Sequence, residues 1–103
     1  MSLKEQLLID MKEAMKSKDS VRLGTVRSVI SALKNQEIDS KKELNEEEIL
    51  ILVSREVKKR KEAAVLYEKG ARPELKDKEI QEMEILKTYL PEQVSEEDLR
   101  KRI

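Results

Sequence analysis

Apolar residues recur at spacings of three and four along most of the chain, a period that predicts helices. The first stripe contains Leu3, Leu7, Leu8, Met11 and Met15. It predicts a helix over about residues 3–16, and Ser2 with Glu5 forms a capping box at its start. A polar break follows, in which Asp19 or Ser20 can cap the next helix.

The second helix follows this break and should fade near Glu37. Its apolar stripe contains Leu23, Val26, Ile30 and Leu33, with Val29 at the edge. Residues 38–44 are rich in charge and predict a connector between the second and third helices.

The third predicted helix is the longest and runs to about Lys69. Asn45 caps its start, and Glu48 stands at the capping-box position. Residues 49–53 are apolar around most of the helix, which predicts that its first half is buried on nearly every side. Gly70 is the expected left-handed stop.

Pro73 suits the first turn of a fourth helix, which Pro91 ends. The apolar face of this helix contains Leu75, Ile80, Met83, Leu86 and Leu90. Ser95 can cap a fifth helix, of which only one or two turns are present. We therefore expect a helical domain over residues 1–93 and the start of a truncated C-terminal subdomain over residues 94–103.

Taken together, these segments predict an all-α protein. The architecture expected is a small multihelical bundle with a long antiparallel helix hairpin, formed by about residues 45–69 and 73–90 and packed against the first two helices. The chain contains 103 residues, which fits one domain, and only two Gly and two Pro to interrupt helices. Lys, Glu, Leu, Met and Ala dominate the rest, and all favour helices.

Composition removes most catalytic chemistries. The chain has no Cys and no His, which excludes thiolate, imidazole and the usual zinc sites. The acidic runs 46–48 and 96–98 each follow a predicted cap, where carboxylates favour the helix dipole. No Gly-rich loop for a nucleotide is present. We therefore predict no catalytic residue, no cofactor and no metal, and the lack of a signal peptide or long apolar run predicts a cytoplasmic location without membrane contact.

Charge is balanced overall but segregated along the chain. Residues 55–72 hold seven Lys or Arg against three acids. One interpretation is a phosphate-binding face on the third helix, formed by Arg55, Lys58, Lys59 and Arg60. The other is an ordinary solvated face with Glu56–Arg60 and Lys58–Glu62 ion pairs, in which the stem of Arg60 packs against apolar neighbours.

A second basic patch is predicted on the second helix. Its polar side carries Arg27, Ser31, Lys34 and Asn35, and Arg22 lies nearer the apolar stripe. These groups can hydrogen-bond phosphate and sugar oxygens. They can equally form ordinary surface and salt bridges between helices.

Three segments together resemble one known family. They are residues 21–35, residues 54–63 and, most specifically, Tyr89-Leu90-Pro91-Glu92-Gln93-Val94-Ser95-Glu96-Glu97-Asp98-Leu99. In this order they are similar to the GatB/YqeY family, and the resemblance covers nearly the whole chain.

The resemblance implies a small, cytosolic, all-helical bacterial protein related to the C-terminal region of the GatB component of the aminoacyl-tRNA amidotransferase. The tail of that component contacts tRNA, and family members are often labelled as carbon–nitrogen ligases with glutamine as amido-N-donor. The amidase and kinase sites lie in other parts of the amidotransferase, so the label would describe ancestry. Family members are usually longer, so this chain resembles the N-terminal domain plus a stub.

The resemblance and the basic faces together predict an accessory RNA-binding module, with tRNA as the expected ligand. The predicted contacts are Arg22, Arg27, Lys34, Asn35, Arg55, Lys58, Lys59 and Arg60. The alternative is a protein–protein interaction module. It would self-associate, or bind a helix of an amidotransferase or synthetase partner, through Leu99, Ile103 and the apolar half of the third helix.

Overall fold

The computed structural model describes residues 2–90, and within this range every regular element is a helix. The elements are α1 (Leu3–Ser17), α2 (Ser20–Ser40), α3 (Glu46–Lys69) and α4 (Pro73–Lys87). The all-α prediction is confirmed. The predicted fifth helix and the proposed boundary at residues 93 and 94 lie outside the described residues.

The helix starts follow the predicted capping chemistry. Ser2 and Asn45 each accept a hydrogen bond from the backbone N–H three residues later, and Glu5 and Glu48 complete the two capping boxes. Asp19 accepts from a backbone N–H in the first turn of α2. Each cap satisfies backbone donors that a helix start leaves without partners, and this fixes where α1, α2 and α3 begin.

The helix ends differ from the prediction. α1, α2 and α3 are each followed by a residue in the left-handed conformation, at Lys18, Lys41 and Ala71. Gly70 has φ −87°, so the expectation of a left-handed glycine there was wrong. The last turn of α3 extends through Gly70, because the N–H of Arg72 reaches back to the carbonyl of Tyr67 at 2.8 Å.

The core lies where the four helices meet. Its buried apolar side chains are Leu7, Val26, Val29, Ile30, Leu33, Leu44, Ile49, Leu52, Val53 and Leu86. α3 packs along α4 as the predicted antiparallel hairpin, and α2 contacts the other three helices. Val29, expected at the edge of its stripe, is fully buried.

The first half of α3 is more exposed than its sequence predicted. Ile49, Leu52 and Val53 are buried, but Leu50 is only partly covered and 48% of Ile51 is exposed. The helices of the described part cover only the inner side of α3. An apolar strip therefore remains open on the outer side of this helix.

Two carboxylates join the ends of different helices. Glu37, near the end of α2, accepts hydrogen bonds from the Leu44 N–H at 3.0 Å and from the Lys4 ammonium at 3.2 Å. The Leu44 N–H, with a further effect of Lys4, holds the pKa of Glu37 below its usual value. Glu46 accepts from the Leu3 N–H at 3.0 Å. These bonds place the starts of α1 and α3 side by side.

Candidate nucleic-acid interface

The exposed side of α3 carries a cluster of cations. We call Arg55, Lys58 and Lys59 the α3 basic face. Lys59 forms a 3.2 Å ion pair with Glu56, yet 72% of its side chain stays exposed. Within residues 2–90, neither Arg55 nor Lys58 has a hydrogen bond or an ion pair.

Of the two ion pairs expected if α3 carried an ordinary solvated face, the described residues contain one. The Glu56–Arg60 pair is present at 3.0 Å. The predicted Lys58–Glu62 pair is not formed in the described part of the chain. Glu56 is buried and binds Arg60. Among residues 54–62, Glu62 is therefore the exposed carboxylate that can offset the exposed cations. The α3 basic face therefore keeps a local excess of positive charge.

The second predicted patch is exposed on α2. Arg27, Lys34 and Asn35 are all exposed, and no acidic partner of Arg27 exists among residues 2–90. The charge of Lys34 contributes to the lowered pKa of Glu37, so Lys34 already interacts with one carboxylate. We call Arg27, Lys34 and Asn35 the α2 polar face.

A polar contact joins α2 and α3 between the two faces. The Ser28 hydroxyl lies 3.3 Å from a guanidinium nitrogen of Arg60. Arg27 and Lys59 are the sequence neighbours of these two residues. At 100° per residue, Arg55 and Lys58 lie on the opposite side of α3 from this contact.

The structure places Arg60 in the interior, which corrects its inclusion among the phosphate contacts. Only 8% of the residue is exposed. Its Nε donates to Glu82 at 3.0 Å, and one terminal nitrogen donates to the carboxylate of Glu56 at 3.0 Å. Since a buried cation needs charged and hydrogen-bonding partners, Arg60 is held by them and joins α2, α3 and α4.

The surroundings of Arg60 are acidic. Glu56 and Glu82 bind it directly, and Glu79 lies close enough to interact with it. Burial, and then the charge of Glu82, raise the pKa of Glu79, while Arg60 opposes this rise. The cluster thus contains more potential negative charge than positive, and carboxylates already balance the charge of Arg60.

Arg22 lies at a second polar junction. Its guanidinium is 3.8 Å from the carboxylate of Asp10, and 43% of its side chain is exposed. Asp10 is buried and accepts hydrogen bonds from Gln6 and from the Tyr89 hydroxyl. The Nε of Arg22 is buried with no hydrogen-bond partner in the described part. Arg22 therefore belongs mainly to the packing of α1 and α2 against the end of α4.

Sequence reasoning did not identify this junction. Tyr89 lies in the sequence segment with the most specific family resemblance, but its partner Asp10 is 79 residues away. Burial, followed by the hydrogen bond to Asp10, raises the pKa of Tyr89 well above its usual value. The one available signal was a lone Asp among the apolar positions of α1.

An open groove of about 370 Å³ runs along the outer side of α3. Its apolar surface comes from Leu50, Ile51 and Leu90, and Arg55 and Lys58 stand in its wall. Glu47 and Ser54 complete the lining. The groove thus combines an apolar floor with two cations that have no ion pair within residues 2–90.

The described residues contain no group of acidic side chains arranged to hold a metal ion. Within the same range, none of the helices has the length and apolar character that crossing a bilayer requires. The arrangement seen is a charged helical surface, which can bind anions and hydrogen-bonding partners.

Comparison with known proteins identifies a family and several relatives that this chain resembles. Residues 4–103 match the family described as Yqey-like protein. The chain is 40% identical over 81 residues to Altered inheritance of mitochondria protein 41, mitochondrial, of Kluyveromyces lactis, covering 78% of this chain and 44% of that protein. The protein of the same name in Clavispora lusitaniae is 31% identical over 104 residues, covering 99% of this chain and 61% of its own length.

A protein of this name in Saccharomyces cerevisiae is 35% identical over 82 residues, covering 79% of this chain and 44% of its own length. The chain thus spans about half the length of these yeast relatives. Their names place them in mitochondria, so the expected bacterial source and cytoplasmic location stay predictions. The match over residues 4–103 agrees with the resemblance carried by the segment that contains Tyr89, and the chain belongs to the Yqey-like protein family.

Proposed function

We propose that this chain is an RNA-binding helical module, with tRNA as the ligand. The observation that carries the proposal is the α3 basic face, where Arg55 and Lys58 are exposed and unpaired among the described residues. Cations on a helix surface neutralise phosphates and release counterions, which gives affinity without base-specific contacts. The resemblance to the tRNA-contacting tail of the amidotransferase directs the proposal to tRNA.

The α2 polar face would extend the contact. Asn35 can hydrogen-bond sugar or phosphate oxygens, and Arg27 and Lys34 can pair with phosphates. Two adjoining helices then present both charge and hydrogen-bonding groups. Tyr67 and Tyr89 are the chain's two aromatic residues, and Tyr89 is committed to Asp10. Base stacking is therefore a minor contribution, and binding should depend on the phosphate backbone.

The test is a titration of labelled tRNA with the full chain at low and moderate salt. We expect binding at low salt that weakens as salt increases. Arg55→Glu/Lys58→Glu should reduce affinity by about tenfold or more, because two attractions become repulsions. The matched control is Lys12→Glu/Lys16→Glu, which makes the same charge change on exposed positions of α1 and should bind more tightly than the α3 variant.

No binding of tRNA at low salt would overturn the proposal, as would binding that salt does not weaken. Equal losses for the two charge-reversal pairs would show that net charge decides the affinity and that the α3 basic face does not. Circular dichroism of each variant checks that the helices remain.

A protein–protein interaction module is the second candidate, favoured by exposed apolar side chains at the closed end of the α3–α4 hairpin. Val65, Leu66 and Leu75 are 45%, 68% and 41% exposed. Sedimentation at several concentrations tests self-association. Dissociation on dilution that Leu66→Ser shifts would support it, and a monomer at every concentration would count against a second copy as the partner.

A further inference from the structure

We propose that the segment that follows Leu90, residues 94–103, docks as a short helix into the groove on the outer side of α3. The docking needs no ligand, but the docked segment would compete with RNA for Arg55 and Lys58. The proposal rests on the shape of the groove, its position beside the end of α4, and its charge.

The groove exposes apolar surface that the four helices leave uncovered. Ile51 is 48% exposed at its centre, and Leu50 and Leu90 border it. Residues 49–53 form an apolar band around α3, a pattern typical of a helix covered on all sides. The four-helix core buries the inner side of this band. The apolar residues on its outer side indicate that a further element packs there.

The path of the chain favours residues 94–103 as the segment that fills the groove. Leu90 is both a lining residue of the groove and the last described residue, so the chain continues from the groove's own wall. Four residues, 91–94, can span roughly 13 Å, enough for the chain to change direction before the proposed helix begins at Ser95. A second copy or a partner would have to displace a segment that is already tethered there, at a high local concentration.

The dimensions of segment and groove agree. The groove follows α3 from Glu47 to Lys58, a rise of roughly 16 Å along the helix axis. A helix over residues 95–103 would be roughly 14 Å long. On such a helix Leu99 and Ile103 are four residues apart and share one face, which can cover Leu50 and Ile51.

The charges are complementary as well. Arg55 and Lys58 stand in the wall of the groove and have no acidic partner among residues 2–90. The first turn of the segment carries Glu96, Glu97 and Asp98. Docking would bring these carboxylates to Arg55 and Lys58, which neither an apolar nor a basic partner helix would do.

The experiment uses paramagnetic relaxation in the full chain. The sequence has no Cys, so Lys101→Cys gives one attachment point for a spin label. On the proposed helix, position 101 would lie on the side opposite Leu99 and Ile103, which would keep the label out of the groove. We expect the amide signals of residues 50–58 to broaden, and those of residues 66–75 at the hairpin's closed end to remain sharp.

The matched variant is Leu99→Asp in the same labelled chain, which should restore sharp signals for residues 50–58 while the core spectrum is unchanged. Ile51→Ser, a change at a half-exposed position, should do the same from the other side. Signals that are never broadened in the groove would overturn the proposal. So would broadening that appears only between a labelled and a separate isotope-enriched molecule, which would identify a second copy as the occupant.

RNA provides a separate readout, because phosphates and the acidic turn would meet the same two cations. If both proposals hold, tRNA added to the labelled chain reduces the paramagnetic part of the broadening at residues 50–58, measured against the same complex with the label chemically reduced. Docking is measured before RNA is added, so a failure of docking and a failure of RNA binding are distinguished within one experiment.

Discussion

Neighbouring cations on α3 have different roles, because their surroundings differ. Arg60 and Glu56 are buried and bind each other and Glu82, whereas Arg55 and Lys58 extend into solvent. Burying a charge is unfavourable unless partners replace its water. An arginine therefore stabilises the helix packing at position 60 and is exposed at position 55.

Arg60→Met tests the structural role. It removes the shared partner of Glu56 and Glu82 and leaves two carboxylates at a buried site. We expect the free energy of unfolding to fall by about 3 kcal/mol or more, measured by urea titration with circular dichroism.

Lys59→Met is the control for that change. Lys59 also pairs with Glu56, but 72% of its side chain is exposed, so we expect a loss of about 0.5 kcal/mol or less. Arg60→Lys keeps the charge but not the planar guanidinium group, so its loss of unfolding free energy should lie between those of the two Met variants. A loss below about 1 kcal/mol for Arg60→Met would contradict the buried pair.

The end of α3 provides a second prediction at the residue scale. Gly70 has an ordinary φ of −87°, and an added Cβ would meet only the Leu66 and Tyr67 carbonyls at 3.4 and 3.9 Å. Gly70→Ala should therefore stabilise the protein by about 0.5 kcal/mol, since alanine loses less backbone entropy on folding. Ala71 has φ 56°, so Ala71→Gly should also stabilise, by about 0.5 kcal/mol net of its unfolded-state cost.

Thermal unfolding of both single variants checks this assignment. If Gly70→Ala instead destabilises the protein, then Gly70 is the left-handed residue that the sequence alone predicted.

Hydrogen bonds at the helix ends fix how α1, α2 and α3 are placed relative to one another. Glu37 fixes the connector before α3 through the Leu44 N–H and holds α1 through Lys4. Glu46 accepts from the Leu3 N–H and so couples the start of α3 to that of α1. Each bond joins different elements of the fold, and each depends on an ionised carboxylate.

Acid should weaken the connector. The pKa of Glu37 is lowered in the folded state below its ordinary value of 4.5. Its contribution is therefore complete above pH 4.5 and is lost as pH falls through the folded-state value. In urea titrations, the stability difference between the parent chain and Glu37→Gln should shrink on acidification. Glu43→Gln, which removes an exposed carboxylate of the same connector, should show a smaller difference in the free energy of unfolding at neutral pH.

The whole molecule is closed by the contact of its first and last described helical regions. The Tyr89 hydroxyl, just after α4, donates to the Asp10 carboxylate on α1, and Arg22 of α2 stands beside them. Three helices are thus joined at one polar junction next to the core. The most specific part of the family resemblance therefore has a structural role at this residue.

Alkali should open this junction. Burial and the Asp10 hydrogen bond raise the pKa of Tyr89 above its ordinary 10.0, so the folded state keeps a proton that the unfolded state loses. Stability should decline as pH rises above 10.0, and Tyr89→Phe should remove that part of the decline. The absorbance of tyrosinate in a Tyr67→Phe background measures Tyr89 alone. Ionisation near its ordinary value would contradict the junction.

Features that depend on residues close together in the chain could be predicted from the sequence, whereas contacts between helices could not. Caps at Ser2, Asp19 and Asn45 depend on neighbours within a few residues, so the starts of α1, α2 and α3 were predictable. The interior position of Arg60 and the Asp10–Tyr89 pair depend on residues from different helices, and no local pattern contains them. The exposure of the α3 basic face was an open alternative until the partners of these cations were known.

The salt dependence of tRNA binding shows whether Arg55 and Lys58 contact phosphates. For the parent chain and for Arg55→Gln/Lys58→Gln, the logarithm of the binding constant is plotted against the logarithm of salt concentration. We predict a steep negative slope for the parent chain that becomes shallower by about two in the α3 variant, close to one per cation removed. Lys12→Gln/Lys16→Gln should leave the slope unchanged. Equal slopes for the parent chain and the α3 variant would contradict the account.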